Sequence, residues 1–105
     1  MNENKAIELI LSELHRAQAK HPGRMILRHQ AWGVIEEEHV KFRRAVEKND
    51  YDEAHKRLAT TAAMCLRTLI DFDLIRSVES DLTVLETLGR SAKPPAFEQD
   101  IPGKG

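Results

Sequence analysis

Little in this chain can be cross-linked, stacked or threaded through a bilayer. A single cysteine, Cys65, excludes an internal disulfide. Its apolar neighbours mark it as a small buried hydrophobe of the kind kept reduced in a cytoplasm, with no electropositive pocket to make it a nucleophile. Aromatic residues are 5% of the chain, and no basic-aromatic stripe of the nucleic-acid-binding kind is present. Sixteen basic residues against seventeen acidic ones leave a net charge of −1, so no bulk attraction to nucleic acid or an anionic membrane is expected. No apolar run approaches the ~18 residues that read as a membrane span, and the N-terminus has no basic-then-apolar leader pattern. The expected location is the cytoplasm. The five histidines (15, 21, 29, 39 and 55) make no His-x-x-x-His or Cys-His pattern, so zinc is not expected. A Gly-rich phosphate loop and catalytic-triad spacing are also missing.

What is present is helix. Of 105 residues, 41% are apolar and 31% charged, the balance of one helix-rich domain with a modest core. Ile7, Ile10, Leu11, Leu14 and Ala17 recur at three- and four-residue spacing, which predicts a first helix from about Asn2 to Lys20, ended by His21-Pro22-Gly23. A second helix, about His29 to Lys48, has the inner stripe Ala31, Val34, Ile35, Glu38, Phe42, Ala45 and Val46. Asn49-Asp50 is a hinge, with Asp50 as N-cap and Glu53 placed to complete a capping box. A third helix begins at about Tyr51. It carries Leu58, Ala62, Cys65, Leu69 and Phe72 on one face, and Ala59, Ala63, Met64, Leu66 and Ile70 make its other faces apolar as well. A helix apolar nearly all round belongs at the centre of a bundle, and in so short a chain that centre is an oligomer interface. The expectation is a homodimer or higher homo-oligomer assembled through this helix.

Beyond Asp71 the spacing continues through Ile75, Val78, Leu82, Leu85 and Leu88, with no proline or glycine between Asn49 and Gly89. Either one very long helix runs through, or a break between Asp73 and Ser80 starts a shorter fourth helix at Ser80-Asp81. The break is the preferred reading, because a 38-residue helix is unusual and Ser-Asp is a good helix start. Gly89 then stops the fourth helix. Residues 1–89 form the helical domain. Residues 90–105, with three of the four prolines and two of the five glycines, form an extended or disordered tail.

The chemistry concentrates between Ala31 and Phe72. The run Ala-Trp-Gly-Val-Ile-Glu-Glu-Glu-His-Val-Lys-Phe precedes the small-residue run Arg-Leu-Ala-Thr-Thr-Ala-Ala-Met-Cys-Leu-Arg. This layout, from about Leu14 to Phe72, resembles the metal-site half of the MazG-like, all-α nucleotide pyrophosphohydrolases. Those enzymes carry Glu-Glu-x-x-Glu on one helix and Glu-x-x-Asp on the next. The resemblance implies an all-α bundle, Mg²⁺ held by carboxylates, and hydrolysis of a nucleoside triphosphate to monophosphate and pyrophosphate. Laid on this chain, the paired carboxylates are Glu37 and Glu38, the implied metal ligands. Lys41, Arg57 and Thr60 stand at the remaining ligand positions.

Two glutamates with two cations form a cluster that is neutral without metal. Lys41 follows Glu37 by four residues, a favourable helical pair, and Arg57 is placed to approach an inward Glu38. Lys41, Arg57 and Arg67 are the candidate substrate-binding residues, Arg67 being either a phosphate contact or the partner of Asp71. Trp32 is expected to be a core or interface aromatic rather than a base-stacking platform. No catalytic residue is assigned. Three functions stay open: a Mg²⁺-dependent pyrophosphohydrolase, a divergent relative that binds a nucleotide or phosphate ligand, and a non-catalytic helical interaction protein.

Overall fold

The computed structural model describes residues 1–92, with side chains described through residue 88. It is all-α among the described residues: α1 is Glu3–Lys20, α2 is Arg28–Glu47 and α3 is Tyr51–Ala92. Helix α1 starts where Asn2 accepts the Lys5 amide on its side-chain oxygen at 2.9 Å. It ends where the His21 amide reaches the Ala17 carbonyl at 2.8 Å, just before Pro22 forbids another turn. Helix α2 ends in a Schellman turn. Asp50 N–H bonds Ala45 O at 2.9 Å, Asn49 N–H bonds Val46 O at 3.1 Å, and Asn49 takes the left-handed conformation at φ 57°. Asparagine tolerates that region better than most side chains, so the hinge is written into the sequence locally. Asp50 then caps α3 through the Glu53 amide at 3.0 Å. The reciprocal half of the expected capping box does not form, because the Glu53 carboxylate turns to Arg57 instead (2.6 Å).

Helix α3 is the spine on which α1 and α2 both pack. Its buried row is Ala59, Ala63, Arg67, Asp71 and Ile75, at strict four-residue spacing, with Met64 alongside. Leu14 of α1 meets Ala63 and Met64, and Val34 and Ile35 of α2 close over the same cluster. A second cluster joins Met25 of the connector and Ala31 of α2 to Ile75, which is wholly buried. No described helix is long and apolar enough to cross a membrane.

Several expectations need correction. The break between Asp73 and Ser80 does not form, and among the described residues there is no separate fourth helix; α3 is one helix of 42 residues. The reason is tertiary. Ile75 packs into the second cluster, and Glu79, four residues on, accepts the Arg28 amide at 2.7 Å and pairs with the Arg28 guanidinium at 2.8 Å. A carboxylate at the positive end of α2 is favourable, and holding it there requires α3 to continue without a joint. Gly89 does not stop the helix either, since one interior glycine costs only ~1 kcal/mol relative to alanine. Residues 90–92 therefore belong to α3 rather than to the tail, and the rest of that tail, 93–105, lies outside the described residues. The face of α3 bearing Leu58, Cys65, Leu69 and Phe72, expected at an oligomer interface, is exposed in the single chain, Leu69 to 71%. Cys65 is thus not a buried hydrophobe, because the small residues Ala59 and Ala63 give α1 and α2 the closer approach. Trp32, 68% exposed, is not a core residue.

Candidate functional site

A cleft of about 390 Å³ opens where the C-terminal half of α1 faces the middle of α2 and the first turns of α3. Glu38 stands at its floor. Oε1 accepts the Thr60 hydroxyl at 2.8 Å and lies 3.6 Å from Arg57 Nη1, while Oε2 accepts Lys41 Nζ at 3.2 Å. Lys41 also lies 3.8 Å from Glu37, and Arg57 is held by Glu53 at 2.6 Å. Burial by itself would raise the Glu38 pKa; the Thr60 and Lys41 hydrogen bonds and the charges of Lys41 and Arg57 outweigh it and hold the carboxyl below its usual range. The sequence alignment thus brings Glu37, Glu38, Lys41, Arg57 and Thr60 into one place. The spacing that does this is simple: residues 37, 38 and 41 share one face of α2, and residues 57 and 60 share one face of α3.

The arrangement does not suit Mg²⁺ bound by Glu37 and Glu38. Mg²⁺ requires oxygen ligands in near-octahedral geometry. Both oxygens of Glu38 already hold donors, two cations stand beside it, and the Glu37 side chain points into solvent at 71% exposure. No group of three potential ligand side chains suited to a metal occurs among the described residues.

Arg67 lies outside this cleft. It is buried and donates to three backbone carbonyls at the end of α1: Ala17 O at 3.4 Å, Gly23 O at 2.6 Å and His21 O. Ala17 O already accepts the His21 amide, while His21 O and Gly23 O lie just past the last turn of α1, where a cation also opposes the negative end of the helix dipole. Neither a phosphate contact nor direct pairing with Asp71 describes its position. Asp71 is taken by the connector, accepting Arg24 Nε at 3.0 Å and the Met25 amide at 2.9 Å. Burial would raise the Asp71 pKa, but the Met25 amide, Arg24 and the nearby charge of Arg67 bring it below the usual range. His39 pairs with Glu36 at 3.0 Å on the exposed side of α2.

Sequence reasoning missed the α1 wall. Glu13, Arg16 and Lys20 line the cleft from that side and Lys56 from the side of α3. Glu13 is 8% exposed and held by Arg16 at 3.3 Å. The available signal was the 13, 16, 20 spacing, which puts these charges on one face near the end of α1. In all, five basic and three acidic side chains line the cleft, an excess of two positive charges, and none of the lining residues is Trp, Tyr or Phe. Compared with known proteins, the chain matches no family model, no curated protein and no solved structure.

Proposed function

We propose that this chain is a divergent relative of the MazG-like pyrophosphohydrolases that binds a phosphate-bearing ligand without turning it over. The observation that carries this reading is the state of Glu38: the carboxylate a metal would need is neutralised by Lys41 and Arg57 and hydrogen-bonded by Thr60, in a cleft whose remaining charge is positive. Phosphate oxygens are good acceptors for such charge-assisted donors. The nucleotide pyrophosphohydrolase reading, with Mg²⁺ at Glu37 and Glu38, has less support because the ligand positions hold cations. A melting-temperature panel of phosphate ligands tests the proposal. Ligands should stabilise the fold with chelator present, by ~2.7 kcal/mol at a hundredfold excess over Kd, and the melting temperature should rise accordingly. Stabilisation by Mg²⁺ or Mn²⁺ alone would favour the enzyme.

The apolar face of α3 supports assembly as a homodimer. Ile7, Ile10 and Leu11 of α1 and Ala62, Cys65, Leu66 and Leu69 of α3 line an almost wholly apolar groove of about 490 Å³. Leu58 and Ile70 add to the exposed apolar surface of α3. Such a continuous patch is more typical of an interface than of a free surface. The same groove is the specific observation behind the second reading, a helical interaction protein that has lost its ligand. Two neighbouring substitutions separate fold from assembly. Ala62→Glu, in the groove, should give a folded monomer in sedimentation. Ala63→Glu, at a wholly buried position, should unfold the chain at any concentration. A wild-type chain that sediments as a monomer at tens of micromolar would remove the dimer.

A further inference from the structure

Resting on the phosphate-binding reading above, we propose that the cleft takes a pyrophosphate group free of Mg²⁺, clamped between Lys20 on α1 and Lys56 on α3, and that Mg²⁺ opposes its binding. The cations lining the cleft divide into two sets. Arg16, Lys41 and Arg57 are engaged by Glu13, by Glu37 and Glu38, and by Glu53 and Glu38. Lys20 and Lys56 have no ion-pair partner among the described residues, and they flank the same cleft from two different helices. Their charges account for the positive excess. They are compact ammonium groups on flexible stems, suited to phosphate oxygens as point charges.

The shape and the floor of the cleft narrow the ligand. At about 390 Å³ the cavity is near the lower end of the ~300–1,000 Å³ typical of ligand sites. Its lining holds no Trp, Tyr or Phe on which a base could stack, and its one aromatic ring is the His21 imidazole at the end of α1. Recognition therefore falls on the phosphates. One orthophosphate presents a single small anion to two separate walls. A pyrophosphate group presents oxygens at both ends of its bridge, one end for each lysine. A Mg²⁺-pyrophosphate complex presents less negative charge and carries a dication toward Lys41 and Arg57, while Glu38 has no oxygen left to receive it. Chemistry at Glu38 thus decides which form of the ligand is accepted.

Titration calorimetry on the full chain at low ionic strength tests this, using inorganic pyrophosphate, orthophosphate and ADP, each with chelator and with excess Mg²⁺. In chelator, pyrophosphate should bind about tenfold or more tighter than orthophosphate, and excess Mg²⁺ should weaken it by a similar factor. Lys20→Ala and Lys56→Ala should each weaken binding several-fold with the melting temperature unchanged, since both side chains are exposed. ADP equal to pyrophosphate identifies the group as part of a nucleotide, and ADP much weaker identifies free pyrophosphate; either outcome supports the clamp. Binding that needs Mg²⁺ or is strengthened by it overturns the metal-free inference and leaves phosphate binding standing. Binding indifferent to both lysines overturns the clamp. No heat with any phosphate, with or without Mg²⁺, overturns both this inference and the reading it rests on.

Discussion

Replacing Arg67 with methionine is expected to destabilise the protein by ~3–5 kcal/mol, the cost of breaking a buried charged network from one side. Methionine keeps much of the side-chain volume, so the loss is chemical rather than a cavity. The carbonyls of His21 and Gly23 lose this donor, Ala17 O is left with the His21 amide alone, and Asp71 loses a nearby positive charge. The buried aspartate then depends on Arg24, whose side chain is 56% exposed, and on the Met25 amide. Because this guanidinium ties the end of α1 and the start of the connector to α3, the C-terminal turn of α1 should fray first. Hydrogen exchange at residues 17–21 would show that locally, and urea denaturation would give the magnitude.

The sign of the pH effect follows from Asp71. Its folded-state pKa lies below the ordinary value, so its contribution is complete above ~3.9, the unfolded aspartate value, and is lost as pH falls through the lowered folded value. The wild type should therefore lose stability on that acid limb, and Asp71→Asn should flatten it. A loss below 1 kcal/mol for Arg67→Met would contradict the bridging role.

The second large effect is expected from restoring the carboxylates that the MazG-like pattern calls for. Lys41→Glu, Arg57→Glu and Thr60→Asp together remove all three partners of Glu38 and replace them with acids. Without metal, the three new carboxylates would join Glu13, Glu37 and Glu38 in one cleft, repelling and raising one another's pKa. The melting temperature should fall by an amount comparable to the Arg67 variant, several kcal/mol being the usual cost of an uncompensated buried charge. Mg²⁺ or Mn²⁺ should recover it by binding only the folded form. Hydrolytic activity is not required for this outcome, since placing a water is a separate demand. The decisive measurement is melting temperature against metal concentration. A folded variant indifferent to metal would mean that these positions do not make a metal site, and the kinship proposed for the chain would fall with it.

The two expected effects differ in how far they could be foreseen. The cleft cluster was legible because its members lie three or four residues apart within two helices, and helical periodicity alone puts 37, 38 and 41, or 57 and 60, on common faces. Arg67 was not. Its partners lie 44 to 50 residues away and are backbone carbonyls, which have no side-chain signature. The same holds for Asp71, whose partners are Arg24 and an amide in the connector, and for Lys20 and Lys56, which line one cleft only because α1 folds back along α3.

Local physics determined a good deal by itself. Apolar spacing set the three helices, Pro22 and the His21 cap ended α1, and Asn49-Asp50 made the turn into α3. Tertiary structure decided which face of α3 is buried and how long α3 is. When nearly every face of a helix is apolar, hydrophobic periodicity cannot choose among them. Steric fit chose the row of Ala59 and Ala63, leaving Leu58, Cys65 and Leu69 outside. Likewise Ser80-Asp81 has the local chemistry of a helix start, but Ile75 in the core and Glu79 on the end of α2 hold the residues before it in a continuous helix. Those contacts join residues some fifty positions apart in the chain, a distance over which sequence pattern carries no signal and only packing does.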